Sequence, residues 1–436
     1  MKRENRVSAA ADTIETAPGQ SMFRVVAAAT IGNMLEWYDF TIYAAFAIPI
    51  SQHFFPTDSE VVSLVLSFIT FGLGFIARPF GAVVLGDYAD RKGRRNALGL
   101  TILLMAAGTG IVALCPGYDT IGIAAPCIIV AARLLQGFSA GGEIGGAVAL
   151  LTETAPPEKR ALFASFQQLA QGGSTMLSGL VALLIAAALP VQAVNDWGWR
   201  IAFLVGLLIA PVGFYIRRAL DDAPAFAHAV KLRPDEAPIL LVLRDHWRPV
   251  LTGMLIVMLW TVAQYLTNYF PTFAGKQLKL PLTSAYLGPF VVGTVLLLCP
   301  LIGALADRFR RRRIMQIGGL GLLGAAYPAY AWLIAAPSDF RLIVSQILIA
   351  LGVLVYTAPA SAVLAELFPT RLRATGVALT YSLGVALFGG FTPAIITALI
   401  DYTGSPIAIA FYLMAAAIVS LLTLFAVRDR TGEVLS

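Results

Sequence analysis

The chain is poor in charge. Only 13% of its 436 residues are Asp, Glu, Lys or Arg, and 58% are hydrophobic. Soluble domains carry about 25% charged and about 45–50% apolar residues. Too few charges exist to coat a globule of this size, and a mean hydropathy of +0.78 agrees. Cysteine is nearly absent: Cys115, Cys127 and Cys299 lie in apolar runs and form no CxxC pair, which argues against a disulfide framework or a zinc site. Histidine is as scarce, with His53, His228 and His246 in or beside polar loops. Residues Met1 to Gln20 are polar and lack an apolar core, so they do not read as a secretory signal. The net charge of +6 is scattered over short loops. Nucleic acid, which needs a basic face, is not an expected partner.

What the chain has in quantity is long apolar runs. A spanning helix needs about 20 mostly apolar residues to cross about 30 Å of hydrocarbon. Such runs fall at about 23–50, 60–86, 97–116, 121–147, 161–188, 198–218, 249–272, 283–305, 314–336, 341–365, 374–399 and 405–427. In lipid each backbone polar group must be bonded within its own segment, which selects helices; the alternation of a barrel strand is missing. The sequence predicts an all-α polytopic membrane protein with twelve crossings.

Lys and Arg are retained on the cytoplasmic side, and here they orient the bundle. One set of loops holds Arg91 to Arg95, Lys159 and Arg160, Arg217 to Arg248, Arg308 to Arg313, and Arg371 and Arg373, while the opposite loops hold only Arg200, Lys276, Lys279 and Arg341. Both termini therefore fall on the basic, cytoplasmic side of a cell (inner) membrane.

The chain also repeats itself. Gly86-Asp87-Tyr88-Ala89-Asp90-Arg91 matches Gly303-Ala304-Leu305-Ala306-Asp307-Arg308, and Glu153 with Pro157 and Arg160 matches Glu366 with Pro369 and Arg373. Each displacement crosses an even number of spans. The halves are thus parallel repeats, one of the two transporter types. The predicted organisation is a tail at 1–22, a six-helix bundle at 23–218, a cytoplasmic linker at 219–248, a second six-helix bundle at 249–427 and a tail at 428–436.

These motifs resemble the major facilitator superfamily over nearly the whole chain. Gly86-x-x-x-Asp90-Arg91-x-Gly93-Arg94-Arg95 is similar to its cytoplasmic loop signature. The resemblance implies a cytoplasmic gate of Gly86, Asp90, Arg91, Gly93, Arg94, Arg95, Glu153, Arg160, Asp307, Arg308, Glu366 and Arg373. In the second copy Arg310 stands where the signature has glycine. Further stretches are Gly32-Asn33-Met34-Leu35-Glu36-Trp37-Tyr38-Asp39-Phe40, Arg78-Pro79-Phe80-Gly81, Arg133-Leu134-Leu135-Gln136-Gly137-Phe138-Ser139-Ala140-Gly141-Gly142-Glu143 and Trp197-Gly198-Trp199-Arg200. They resemble the metabolite:proton symporters, whose members import citrate, 2-oxoglutarate, shikimate, aromatic acids or zwitterionic osmolytes. Phe388-Gly389-Gly390-Phe391-Thr392-Pro393-Ala394 and Pro116-Gly117-Tyr118-Asp119 look most like the citrate and tricarballylate carriers. Trp37-Tyr38 departs from the Gln-Phe those carriers tend to have.

An ionisable group inside a span costs at least about 2.5–3.5 kcal/mol on insertion scales and is a functional candidate by default. The inward set is Glu36, Asp39, Arg78, Arg133 and Glu143. Glu36 and Asp39 are three apart and share a helix face; one of them carries a coupled proton, or either neutralises Arg78 or Arg133 as a fixed ion pair. Arg78 and Arg133 are candidate anchors for an anion, because a guanidinium offers a planar fork to a carboxylate; for Arg133 a packing role is the competing reading. Both are expected to line a shared aqueous vestibule. Glu143, among glycines, reads as structural or gating. Asn33, Tyr38 and Gln136 join the expected substrate site from the first half. Gln264, Tyr265 and Asn268 join it from the second, which lacks a comparable buried charge. Tyr356, Tyr381, Gln167, Gln168 and Gln171 are weaker candidates of the same kind.

Two motifs mislead. Gly137-Phe138-Ser139-Ala140-Gly141 spells the hydrolase elbow G-x-S-x-G, but no histidine lies in a span to serve it; close helix packing is the better reading. Gly319-Leu320-Gly321-Leu322-Leu323-Gly324 spells G-x-G-x-x-G inside an apolar span with no strand before it, so it is no nucleotide site. The expectation is a secondary transporter and not an enzyme, with no cofactor or metal. Its partners would be a small organic anion, a proton and membrane lipid, and it would work as a monomer. The anion is read as a di- or tricarboxylate such as citrate. The alternative is a zwitterionic osmolyte, to which Trp37 and Tyr38 offer a cation–π face, or a cyclic acid such as shikimate.

Overall fold

The computed structural model describes residues 22–92, 94–153, 155–218 and 238–433. Among them, twelve helical rods account for the crossings: α1 (22–54), α2 (Glu60–Lys92), α3 (Arg94–Leu114), α4 (124–153), α5 (Pro157–Ala188), α6 (Trp199–Arg218), α7 (Trp247–Lys276), α8 (Leu282–Leu296 then Cys299–Phe309), α9 (Arg311–Ala335), α10 (Asp339–Glu366), α11 (Thr370–Thr403) and α12 (Ala408–Ala426). Seven of these are each long and apolar enough to cross a membrane, and α8 does so as a pair bent by 43°. The protein is a multi-pass membrane protein built of two six-helix bundles.

Several rods are broken where a full α-helical ladder is interrupted. α1 passes from Met22–Ala45 to Ala47–Phe54 at Phe46. α4 passes from Ala124–Ser139 through the 3-10 turn Ala140–Gly142 to Glu143–Glu153. α11 carries a π-helical turn at Val385–Gly389, next to Gly390. The expected loop at 86–95 is helical up to Lys92. Of the predicted linker, 219–237 lies outside the described residues, while Pro238–Asp245 forms a short helix.

The bundles meet along α5 against α8 and α2 against α11, with α1 touching α7. Small residues make these seams: a Cβ on Gly293 of α8 would run into Met176 of α5, and one on Gly72 of α2 would lie 2.7 Å from the Phe391 ring. In the opposite half of the interface from the basic loops, Lys276 of α7 pairs with Glu60 of α2 at 2.5 Å. The rings of Phe46 and Tyr286 lie 5.3 Å apart there, and those of Phe68 and Tyr269 5.7 Å apart. The interface is closed at that end by aromatic packing and at the basic end by charges. Between the two closures lies the layer that holds the buried arginines.

Candidate functional site

Glu36, Asp39, Phe40 and Tyr43 recur along α1 at helical spacing and so share one face; all four are buried. α2 and α4 reach that face because little side chain separates them. A Cβ on Gly137 would collide with the Gly74 carbonyl, one on Gly81 with the Phe138 carbonyl, and one on Gly141 with the Arg78 carbonyl. The G-x-S-x-G stretch is therefore a packing seam; the Ser139 hydroxyl donates to the Gln136 carbonyl at 2.9 Å. With their backbones in contact, the long side chains of α2 and α4 turn toward α1.

Arg78 of α2 is 1% exposed. Its guanidinium carbon lies 4.7 Å from the Trp37 ring centroid and 4.8 Å from those of Phe40 and Phe75. None of its three guanidinium nitrogens has a hydrogen-bond partner among the described residues. Cation–π contact at a desolvated site is worth about 2 kcal/mol and covers the flat faces of the cation. It leaves the N–H edge, the part that grips a carboxylate, without a protein acceptor. The Arg78 charge is within electrostatic range of Tyr265 and Tyr381 of the second bundle, and Glu36 is within range of Tyr381.

Arg133 of α4 is differently housed. It lies 3.6 Å over the Tyr43 ring and 5.9 Å from the Phe40 ring, and one nitrogen donates to Gln136 Oε1 at 2.8 Å. Gln136 Nε2 donates to Thr109 Oγ1 at 3.0 Å, and the Thr109 hydroxyl donates to Asp39 Oδ2. Arginine and carboxylate are thus joined through an amide and a hydroxyl. Gly206 of α6 makes room for the acid, since a Cβ there would lie 2.8 Å from Asp39 Oδ1. That oxygen and two Arg133 nitrogens have no hydrogen-bond partner among the described residues. Buried polar atoms in this condition cost about 1–3 kcal/mol each, and clusters of them mark functional sites or bound water. The two arginines are not in one open vestibule: each contacts the Phe40 ring, which is fully buried.

The second bundle adds amides, hydroxyls and rings. Gln168, Gln171 and Thr175 of α5 follow one face and reach across the interface. Gln168 donates to Ser361 Oγ at 3.2 Å, Gln171 donates to the Tyr381 hydroxyl at 3.0 Å, and Thr175 Oγ1 accepts from Gln264 at 3.0 Å. Trp260 Nε1 donates to Gln171 Oε1 at 3.2 Å. Tyr265 sets its ring against Phe71 and Phe75 of α2 at 5.7 and 5.2 Å, and its buried hydroxyl has no partner among the described residues.

At the basic end the guanidiniums of Arg311 and Arg373 are fully hydrogen-bonded, while Arg160 keeps its Nε without a partner among the described residues. Asp307 accepts from the backbone N–H of Ala161 and Leu162 at 3.0 and 2.9 Å, at the start of α5, where a helix terminus favours an anion. Arg311 donates to Asp307 at 2.6 Å, to Glu366, and to the Pro157 carbonyl at 2.9 Å. Arg160 lies 3.6 Å from Glu366. Arg373 donates to Glu153 at 2.8 Å and to the carbonyls of Ala365 and Phe368. Residues 427–433 lie across this cluster: Arg430 donates to the Glu366 carbonyl, Arg160 to the Glu433 carbonyl, and the Arg311 N–H to Thr431 Oγ1.

The structure therefore brings Glu36, Asp39, Arg78, Arg133 and Gln136 into one layer, with Tyr265 and Gln264 on its far side. Asn33 is buried one turn away on α1, with its Nδ2 unbonded among the described residues. Asn268 is buried one turn along α7 from Gln264. Tyr38 faces elsewhere: its hydroxyl donates to the Ala202 carbonyl of α6 at 3.0 Å, because the residue next to Asp39 points to a different side of α1. Tyr356 likewise serves a helix contact, to the Ile256 carbonyl. Among the expected gate residues, Arg308 is exposed at the end of α8, and the guanidinium that grips Asp307 is that of Arg311. Of the gate residues, Gly93 lies outside the described residues, as do the side chains of Asp90, Arg91, Arg94, Arg95 and Glu143, while Gly86 lies within α2. Sequence reasoning missed Thr109, a lone threonine in an apolar run, and the cage rings Phe40 and Phe75. Arg311 stands four residues after Asp307 on the helical i,i+4 spacing, a signal the run of arginines hid.

Two parallel helical bundles closing at both ends around a charged, buried layer define a membrane transporter of the alternating-access kind. Comparison with known proteins agrees. The family model of the Major Facilitator Superfamily matches residues 29–327 and 290–435, and the chain belongs to that superfamily. It is 38% identical to the citrate-proton symporter of Salmonella typhi, over 92% of each chain. It is 40% identical to the citrate-proton symporter of Klebsiella pneumoniae, over 90% of this chain and 89% of that one. A putative proline/betaine transporter of Staphylococcus haemolyticus (strain JCSC1435) is 31% identical over 95% of this chain and 89% of its own. The crystal structure of a D-xylose-proton symporter superposes with a TM-score of 0.73 at 18% identity, covering 95% of this chain and all of that one, a likeness of fold alone. The protein is a transporter and not an enzyme.

Proposed function

We propose that the protein takes up citrate, or a closely related di- or tricarboxylate, together with one or more protons by alternating access. The observation that carries the reading is Arg78, a buried cation capped on its faces by rings and without a hydrogen-bond acceptor at its edge. A substrate carboxylate supplies the missing acceptor in two parallel charge-assisted bonds. Gln264, Tyr265 and Asn268 lie where they would meet the rest of a small acid. Glu36 or Asp39 carries the exchanged proton. The two citrate-proton symporters at 38% and 40% identity support the same substrate class.

The basic end faces the cytoplasm of a cell (inner) membrane, with both termini inside, following the distribution of Lys and Arg. There the cluster of Glu153, Arg160, Asp307, Arg311, Glu366 and Arg373 forms the cytoplasmic gate, and the protein works as a monomer. Release of substrate requires those pairs to part. A zwitterionic osmolyte is the second reading, supported by the 31% identical proline/betaine relative. It fits the site less well, because the Trp37 face that a quaternary ammonium would use is covered by the Arg78 guanidinium. Thermal stabilisation of the purified protein by a panel of citrate, tricarballylate, shikimate and betaine separates these. Ligand at a hundredfold excess over its Kd stabilises by about 2.7 kcal/mol. Stabilisation by citrate is expected; stabilisation by betaine alone would replace the carboxylate reading.

A further inference from the structure

The end of the interface away from the basic loops carries charges of its own. Acids outnumber bases on that side: Asp58, Glu60, Asp119, Asp196, Asp339 and Asp401 stand against Arg200, Lys276, Lys279 and Arg341. Two of these cations are committed to backbone, since Arg200 donates to the carbonyls of Ala113 and Cys115 and Arg341 to that of Trp332, each at 2.9 Å. The other two stand where the bundles meet. Lys276, in the last turn of α7, meets Glu60, in the first turn of α2, at 2.5 Å. Lys279 is exposed and lies within electrostatic range of the same carboxylate. It holds φ 56°, so a lysine stands where the backbone favours glycine.

A polar stripe runs inward from Lys276. Thr272, Asn268 and Gln264 precede it in steps of four along α7, and so follow one slowly winding face. Both ends of the stripe meet the first bundle, Lys276 through Glu60 and Gln264 through its 3.0 Å bond to Thr175 Oγ1. Thr272 and Asn268 between them are buried, and the Thr272 hydroxyl has no partner among the described residues. The stripe thus joins the outer lysines to the layer that holds Arg78.

We infer that Lys276 and Lys279 form an outer capture site for the carboxylates of the incoming substrate, which takes its place there by displacing Glu60 from Lys276. The inference rests on the carboxylate-uptake reading and the orientation proposed with it. An exposed Lys–Glu pair holds weakly, so a second carboxylate exchanges for Glu60 with little loss. A di- or tricarboxylate offers one carboxylate to each lysine, which Glu60 alone does not. The exchange also unties α2 from α7, so the arriving anion loosens the closure it has to pass. On a face otherwise acidic, the two lysines concentrate anions at the seam.

The test follows initial rates of citrate uptake by the full-length protein in proteoliposomes under an outside-acid gradient. Lys276→Gln combined with Lys279→Gln should raise KM about tenfold, the low end of electrostatic steering, the change falling on KM and not on Vmax. Added salt should raise the native KM and leave that of the double variant nearly unchanged, because screening acts on exposed charges. Glu60→Gln should lower KM by up to about fivefold, the strength of an exposed ion pair, whereas Lys276→Gln alone should raise it and Lys276→Arg should recover most of the loss. A pair that only staples the bundles behaves otherwise: Glu60→Gln and Lys276→Gln break the same closure and move KM in the same direction. That outcome, or a double variant with the native KM and salt dependence, overturns the proposal alone. A native protein that takes up no citrate sinks the carboxylate reading and this proposal with it.

Discussion

The two charged layers of the molecule are built on opposite terms. At the basic end, every guanidinium nitrogen of Arg311 and Arg373 is hydrogen-bonded, to carboxylates or backbone carbonyls. In the central layer, no guanidinium nitrogen of Arg78 is bonded, only one of Arg133 is, and Asp39 keeps an oxygen unbonded among the described residues. Buried ions that satisfy one another hold a single arrangement. Buried ions left incomplete are completed by something that arrives. The first layer reads as a lock on one state and the second as a site.

That contrast can be broken most forcefully at Arg311. Arg311→Ala leaves Asp307 and Glu366 buried without their cation, a change that costs about 3–5 kcal/mol. The gate should open toward the basic end, and a cysteine placed at Ser165, buried beneath Gly303, should become reactive from that side. Unchanged reactivity would mean the pairs do not hold the gate. Next in size is Arg78→Gln, expected to cost about 3 kcal/mol of substrate binding, hence about a hundredfold in affinity. Arg78 has no hydrogen bonds to lose but gives up its ring contacts, worth about 2 kcal/mol, so Arg78→Gln should lower the unliganded melting temperature less than Arg311→Ala does. A large fall for Arg78→Gln alone would reverse the assignment of site and lock.

Removing residues 428–436 deletes the bonds that Arg430, Thr431 and Glu433 make to the gate. At about 1 kcal/mol per bond, the truncation should weaken closure by a few kcal/mol at most and raise Ser165→Cys labelling less than Arg311→Ala does. The smallest effect concerns Arg310, which has φ 73° at the end of α8, in the region that favours glycine. Arg310→Gly should relieve strain worth up to about 1–2 kcal/mol and raise the melting temperature slightly. A decrease would show that the Arg310 side chain earns its place by contacts.

Much of the fold was legible because bilayer thickness and backbone hydrogen bonding leave few choices. Run length located twelve helices, and the paired motifs at Asp90 and Asp307 exposed the repeat. What the sequence hid was local breakage: nothing in the apolar run at 374–399 marks the π-turn at Val385–Gly389. In the site, rare intramembrane charges pointed to Glu36, Asp39, Arg78 and Arg133, since each is expensive to bury. Their partners were not legible, because Phe40, Phe75 and Thr109 are ordinary residues of an apolar helix until packing brings them together. Tyr38 shows the converse, a polar neighbour of Asp39 that a helix turn directs to α6. The glycine missing at Arg310 was visible in the repeat, and the positive φ gives its physical meaning.

The most direct measurement is citrate accumulation in proteoliposomes under an outside-acid pH gradient, for the native protein and for Arg78→Gln side by side. The native protein should concentrate citrate until an uncoupler collapses the gradient, and Arg78→Gln, folded and inserted, should take up almost none. Equal uptake by both, or none by the native protein, would contradict an anion held on that caged guanidinium.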